Sequence, residues 1–285
     1  MRILLIGNLG QLGRDLERVL AGHDVTGVDR EDVDVCDAAR VDAVVESVRP
    51  RAIINCSAFH RVDECEDVPE AAFAVNVFGV WNLALAASRA NAALMHFSTD
   101  YVFGGPERRP HPETDTPCPQ SVYAVSKLSG EFMLRSVWPR HFIIRTCGLY
   151  GYAGSREKGT NFVESMLKLG ASGKPLRVVN DQICTPTSTL ELARAVCRLI
   201  GTDRYGLYHL TAEGECSWHE FAQAIFELAG MRVEVAPISS AEFAAKAPRP
   251  PYSVLENRNW NDAGLPPLQH WKAALAEYLR GRAEG

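Results

Sequence analysis

The chain has 285 residues, 46% of them hydrophobic and 23% charged, and a formal net charge of −5. These proportions are those of a folded globular protein and exclude a disordered or fibrous chain. No basic cluster goes beyond short pieces such as Arg108-Arg109, so nucleic acid is not an expected partner.

Through the first half, short apolar runs alternate with amphipathic stretches, the pattern of a parallel sheet with helices on both faces. Strands are expected at residues 2–7 (RILLIG), 24–29 (DVTGVD), 52–56 (AIINC), 93–98 (ALMHFS) and 141–146 (HFIIRT). A helix follows the first strand, another starts at Asp37 and ends before Pro50, and a long one covers 69–90. After Thr146 the alternation loosens. Gly148, Gly151, Gly154 and Gly159 mark an irregular loop, followed by a helix at 161–170, a strand at 176–181 and a helix at 189–200. A strand at 206–210, a helix from Ser217 to 230, a Pro-rich piece at 247–253 and a helix at 268–281 complete the chain.

The expected class is α/β: a doubly wound, Rossmann-type parallel sheet with a smaller, mixed C-terminal substrate-binding domain. The first domain would be 1–150 with a returning segment at about 175–205; the second, 151–174 and 206–285. The apolar run in MRILLIGN is too short for a signal peptide, and no stretch reads as a membrane span. Eight cysteines lie scattered, without Cys-x-x-Cys or zinc-like spacing, which points to reduced thiols in the cytoplasm and no metal site.

Two short motifs carry chemistry. In GNLGQLG, Gly7, Gly10 and Gly13 lie between a strand and a helix. Such a turn lets the backbone, at Gln11 and Leu12, approach a pyrophosphate at the positive end of the helix dipole. Asp29 ends the second strand, where a carboxylate can bond ribose hydroxyls and favour NAD; Arg30 beside it suits a 2′-phosphate, so NADH and NADPH both remain open. The second motif is YAVSK, which puts Tyr123 and Lys127 on one helix face, behind a strand ending in Ser98 and Thr99. A lysine charge there favours phenolate and is expected to lower the Tyr123 pKa, making it a better acid.

With these residues in place, the chain resembles the extended short-chain dehydrogenases/reductases. The stretches GQLG, INCSAFHRVDECE, VNVFG, STDYVF, YAVSKLSGE, VNDQICTPT, GLYHLTAEGECSWHEFA and RPPYSVL make it similar, in order and almost to the C-terminus, to the dTDP-4-dehydrorhamnose reductase family. The resemblance implies reduction of the C4 ketone of a 6-deoxy nucleotide sugar without a metal. Tyr123 would be the acid, Lys127 would orient the ribose, and Thr99 would stabilise the oxyanion. Asp34, Val35, Ser57 and Ala58 join the implied cofactor contacts; Tyr101, Phe103, Asn161, Gln182 and Arg249 join Thr99 on the substrate side. Two departures stand out: Gly148 occupies the place of a family aromatic near the sugar, and Cys56, Ser57 and Phe59 stand where alanine and histidine are usual. The alternatives are an epimerase or dehydratase of the same fold, disfavoured by Tyr101 where dehydratases carry a glutamate, and a non-catalytic dinucleotide-binding subunit. Exposed helices allow a homodimer without singling out a pair.

Overall fold

The computed structural model describes residues 1–154 and 159–284; residues 155–158 of the expected glycine-marked loop lie outside the described residues. The first half alternates β1 (Arg2–Ile6), α1 (Gln11–Val19), β2 (Asp24–Val28), α2 (Ala38–Val48), β3 (Ala52–Asn55), α3 (Val62–Cys65), α4 (Pro69–Phe73), α5 (Val80–Ala90), β4 (Ala93–Thr99), α6 (Val122–Val137) and β5 (His141–Thr146). Then come α7 (Phe162–Gly170), β6 (Leu176–Val179), β7 (Ile183–Cys184), α8 (Thr189–Leu199), β8 (Gly206–His209), β9 (Cys216–Ser217), α9 (Trp218–Leu228), β10 (Val235–Ile238), α10 (Ser240–Phe243), α11 (Arg258–Asp262) and α12 (Trp271–Glu284). Local chemistry sets the helix starts. The Asp37 carboxylate accepts the Ala39 and Arg40 N–H groups, the Ser121 hydroxyl accepts Ala124 N–H, and Ser217 and Glu220 form a reciprocal capping box.

Six parallel strands run in the order β2-β1-β3-β4-β5-β8. Side chains alternate across this sheet: Ile3 and Leu5 pack with Leu16 of α1 and Val196 of α8 on one face. Leu4 and Ile6 pack with Val41 of α2 and Leu83 of α5 on the other. Burial on both faces is why the inner strands β1 and β3 read as nearly continuous apolar runs, whereas β2 at the edge does not. Strand order reverses between β1 and β3, and open α/β sheets bind ligands at the carboxyl ends of strands beside such a reversal.

Two expected assignments change. Residues 206–209, assigned to the C-terminal lobe, form the sixth strand of the main sheet, with Phe142 opposite Gly206 and Arg145 opposite His209. Residues 176–179, assigned to the returning segment, instead pair with β10 in a two-stranded sheet of the lobe. The returning segment is therefore α8 and β8. Trp260 and Leu268 also pack back into the main core. Apolar composition signals a strand but not its neighbour, which is fixed here by long-range contacts. The lobe itself packs α7, α9 and α12 around Phe221, Ile225 and Leu275.

The long helix over 69–90 widens into a π-helical turn at Ala74–Gly79. Contrary to expectation, Pro69–Ala90 is long and apolar enough by length and composition to cross a membrane, with a mean hydropathy of 1.5 over its best window. Half of that window is buried, and Val80, Leu83, Ala84 and Ala87 belong to the core of one sheet face. Its apolarity is accounted for by that packing.

Candidate active site

A cavity of about 1050 Å³ opens along the carboxyl edge of the sheet. At one end lies the glycine loop. Gly7 takes φ +77°, and a Cβ on Gly13 would sit 2.3 Å from the Gly7 carbonyl oxygen and 2.6 Å from Asn8 Cα. Only glycine allows this crossing of loop and helix. Gly10 caps α1 without a side-chain hydrogen bond, leaving the first-turn N–H groups of Gln11, Leu12 and Gly13 available to an anion. The buried Asp29 carboxylate accepts Leu9 N–H at 3.1 Å and Arg30 N–H at 2.7 Å, holding the loop while bordering the cavity. Arg30 is exposed at the same rim. These donors, this glycine packing and the carboxylate–guanidinium pair fit a dinucleotide. Asp34, Val35, Ser57 and Ala58 line the cavity. Gln11 ties the loop to the opposite wall through Leu149 O at 3.1 Å, while its buried Oε1 has no hydrogen-bond partner among the described residues.

Farther along, the structure brings together Thr99 at the end of β4 with Tyr123 and Lys127 on α6. The Thr99 hydroxyl donates to Asp100 Oδ1 and accepts Tyr101 N–H, both at 3.2 Å, and the Tyr101 ring meets the Tyr123 ring edge-on at 6.0 Å. Contrary to expectation, the Tyr123 pKa is raised above the ordinary tyrosine value. Enclosure of the phenol is the main cause and outweighs the opposing influence of the nearby Thr99 hydroxyl. Lys127, 2% exposed, moves the other way: burial brings its pKa down to about 8, against the opposing pull of Glu131 and Cys56. The ammonium thus does not make Tyr123 acidic; both groups are held toward their neutral forms.

Second-rank contacts fix these positions. In the π-turn, the Asn76 side chain accepts Phe59 N–H at 2.9 Å and donates to Phe59 O and Ser126 Oγ, both at 3.0 Å. This joins the loop after β3 to the helix of Tyr123. A Cβ on Gly130 would lie 2.2 Å from Asn76 O, so the glycine in YAVSKLSGE is there to let two helices touch. Behind Thr99, buried Glu131 accepts from Ser98 Oγ at 2.5 Å and from Arg145 Nη2 at 2.7 Å.

The expected substrate residues divide. Tyr101 and Asn161 line the cavity, but the Asn161 amide is already engaged, capping α7 through Glu164 N–H and donating to Gly151 O. Phe103 is not at the cavity. The 3₁₀ turn at Asp100–Val102 sends its ring inward, where it stacks on His111 at 4.4 Å beneath the Arg145 guanidinium. Gln182 is also elsewhere, buried and donating to Ser240 Oγ at 2.8 Å. Arg249 lies outside the cavity lining, paired bidentately with Asp63 at 2.9 and 2.8 Å. That pairing occupies the fork expected to meet a diphosphate.

Four residues at or behind the cavity were not singled out from sequence: Thr146, Cys147, Trp218 and His96. Thr146 Oγ1 is buried without a hydrogen-bond partner among the described residues, directly across the β4–β5 ladder from Thr99. Gly148 takes φ +53°, and a Cβ there would be 3.3 Å from Trp218 Cη2. An aromatic wall is therefore present, supplied by α9 rather than by position 148. The only signal for Trp218 was its place after the Ser217 cap, which says nothing of the cavity. Among the described residues, no group of three His, Cys, Asp or Glu side chains is placed to hold a metal.

The chain matches the family model described as RmlD substrate binding domain over residues 1–283. It is 41% identical to a dTDP-4-dehydrorhamnose reductase of Streptomyces griseus, over 99% of this chain and 95% of that one. To the spore coat polysaccharide biosynthesis protein SpsK of Bacillus subtilis (strain 168) it is 40% identical, over 99% and 98% of the two chains. A crystal structure of dTDP-4-dehydrorhamnose reductase from Bacillus anthracis in complex with NADP superposes with a TM-score of 0.95 at 36% identity, covering 98% of this chain and 99% of that one.

Proposed function

This chain belongs to the dTDP-4-dehydrorhamnose reductase family, and from that premise we propose that it reduces the C4 ketone of a dTDP-linked 4-keto-6-deoxy sugar, forming dTDP-L-rhamnose. It is an NAD(P)H-dependent oxidoreductase of the extended short-chain dehydrogenase fold. The observation that carries the substrate-level reading is the convergence of Thr99, a protonated Tyr123 and Lys127 on one cavity wall.

The glycine loop, Asp29 and Arg30 would hold the pyrophosphate and adenine ribose, with Ser57, Ala58 and Lys127 nearer the nicotinamide end. When bound, the reduced nicotinamide supplies the hydride. Tyr123, kept protonated by burial, delivers its proton to the ketone oxygen, and Thr99 donates a hydrogen bond to the same oxygen as charge develops. A phenol held in its acid form suits reduction; the reverse direction needs the phenolate. Trp218 and Tyr101 would border the sugar. Asp29 and Arg30 favour opposite phosphorylation states of the ribose, so both cofactors are used with less than about tenfold preference. The scattered spacing of the eight cysteines supports a reducing compartment, the cytoplasm.

Tyr123→Phe tests this reading. Turnover falls by roughly 10² to 10⁴, the range for a lost general acid, while reduced cofactor still binds. Near-normal turnover would contradict the assignment.

A further inference from the structure

Behind Lys127 stands a fully buried imidazole, His96, with Nε2 3.4 Å from the lysine Nζ. Its other ring nitrogen, Nδ1, is 3.2 Å from the amide nitrogen of Asn55. The orientation of that amide is decided by Ser57, whose backbone N–H and hydroxyl both bond Asn55 Oδ1, at 3.0 and 2.5 Å. A backbone N–H can only donate, so the Asn55 oxygen must face Ser57 and its NH2 must face His96. The NH2 can also only donate, so Nδ1 of His96 accepts. Burial, reinforced by the lysine charge, holds the His96 pKa well below its ordinary value, so the ring is neutral and carries its one proton on Nε2. That N–H points at Lys127.

We propose that His96, locked by Ser57 and Asn55 in its Nε2–H form, is a positioning residue that denies Lys127 an interior hydrogen-bond acceptor. A charged lysine then has no bond to make toward His96 and must direct its N–H groups to the cavity, on the side of Tyr123. A neutral lysine can turn its lone pair to the imidazole N–H. The other groups facing Lys127 leave this arrangement intact. Cys56, from the loop after β3, has its thiol pKa pushed up by burial and stays neutral. Glu131, one turn on along α6, is engaged by Ser98 and Arg145. The role rests on Lys127 serving the reductase site; the tautomer itself does not.

Nitrogen-15 NMR of the cofactor-free protein, with labelled histidine and the His96 signals identified by their loss in His96→Gln, reads the tautomer directly. The expected spectrum shows neutral His96 with its proton on Nε2 from pH 6 to 9; a proton on Nδ1, or a charged ring, overturns the proposal whatever the activity. Asn55→Asp supplies the second arm. One carboxylate oxygen keeps Ser57 N–H while the other accepts from Nδ1, which moves the imidazole proton and turns Nε2 into an acceptor for Lys127. The pH dependence of Lys127 acylation, read by mass spectrometry without cofactor, then shifts upward by about one unit. An unchanged acylation profile in a folded Asn55→Asp protein contradicts the proposal. A correct tautomer beside near-normal turnover in Tyr123→Phe would instead leave the lock standing and remove the reductase reading.

Discussion

At the β1–β2 end of the cavity, the groups offered to a ligand are main-chain N–H groups and the space left by glycines, with Asp29 fastened to the loop by its bond from Leu9 N–H. At the other end they are side chains: Thr146 from β5, Asn161 at the start of α7 and Trp218 at the start of α9, set by packing between the sheet and the lobe. A site built from backbone geometry depends on a few small residues at fixed spacing and tolerates no Cβ. A site built from side chains depends on which distant segments fold against one another, as Trp218 of α9 is brought beside Gly148 at the cavity.

The difference can be broken most sharply at Gly13. A methyl group there overlaps the Gly7 carbonyl at 2.3 Å, and forcing the loop open costs about 1 to 3 kcal/mol, or roughly 5- to 150-fold in cofactor affinity. Titration of Gly13→Ala with reduced cofactor measures this, and its affinity for the sugar nucleotide alone should stay near normal. Trp218→Ala probes the opposite end. Loss of the ring raises the KM for the keto sugar about tenfold, within the 1 to 3 kcal/mol scale of a pocket contact, with cofactor affinity unchanged; steady-state kinetics in both substrates separates the two. Asp29→Ala gives the smallest effect. Both cofactors bind less well because Leu9 N–H loses its acceptor, and the ratio of specificity constants shifts toward NADPH by less than about tenfold. A ratio that does not move would show that Asp29 serves only the loop.

The same contrast explains what the sequence disclosed. The placement of Gly7, Gly10, Gly13 and Asp29 at the cavity was legible because strand, turn and helix follow one another within a short span. Tyr123 and Lys127 were legible from helical spacing, and Thr99 from its place at a strand end. The direction of the Tyr123 pKa was not: it depends on how fully the phenol is enclosed, which no local pattern records. Phe103 and Gln182 were misplaced because a 3₁₀ turn and the pairing with Ser240 set their directions. Likewise Gly206–His209 reads as a strand from composition, yet only its pairing with β5 assigns it to the main sheet. Asn76 lay within a quoted motif, but its bonds to Phe59 and Ser126 arise from a π-turn that apolar periodicity alone does not announce.

The most direct measurement mixes the purified protein with NADPH and a dTDP-linked 4-keto-6-deoxy sugar and follows absorbance at the reduced nicotinamide band alongside the sugar product. The account predicts loss of the band only when protein, cofactor and keto sugar are all present, one equivalent for each reduced sugar formed. Conversion of the sugar with no net loss of the band, or no conversion at all, would contradict it.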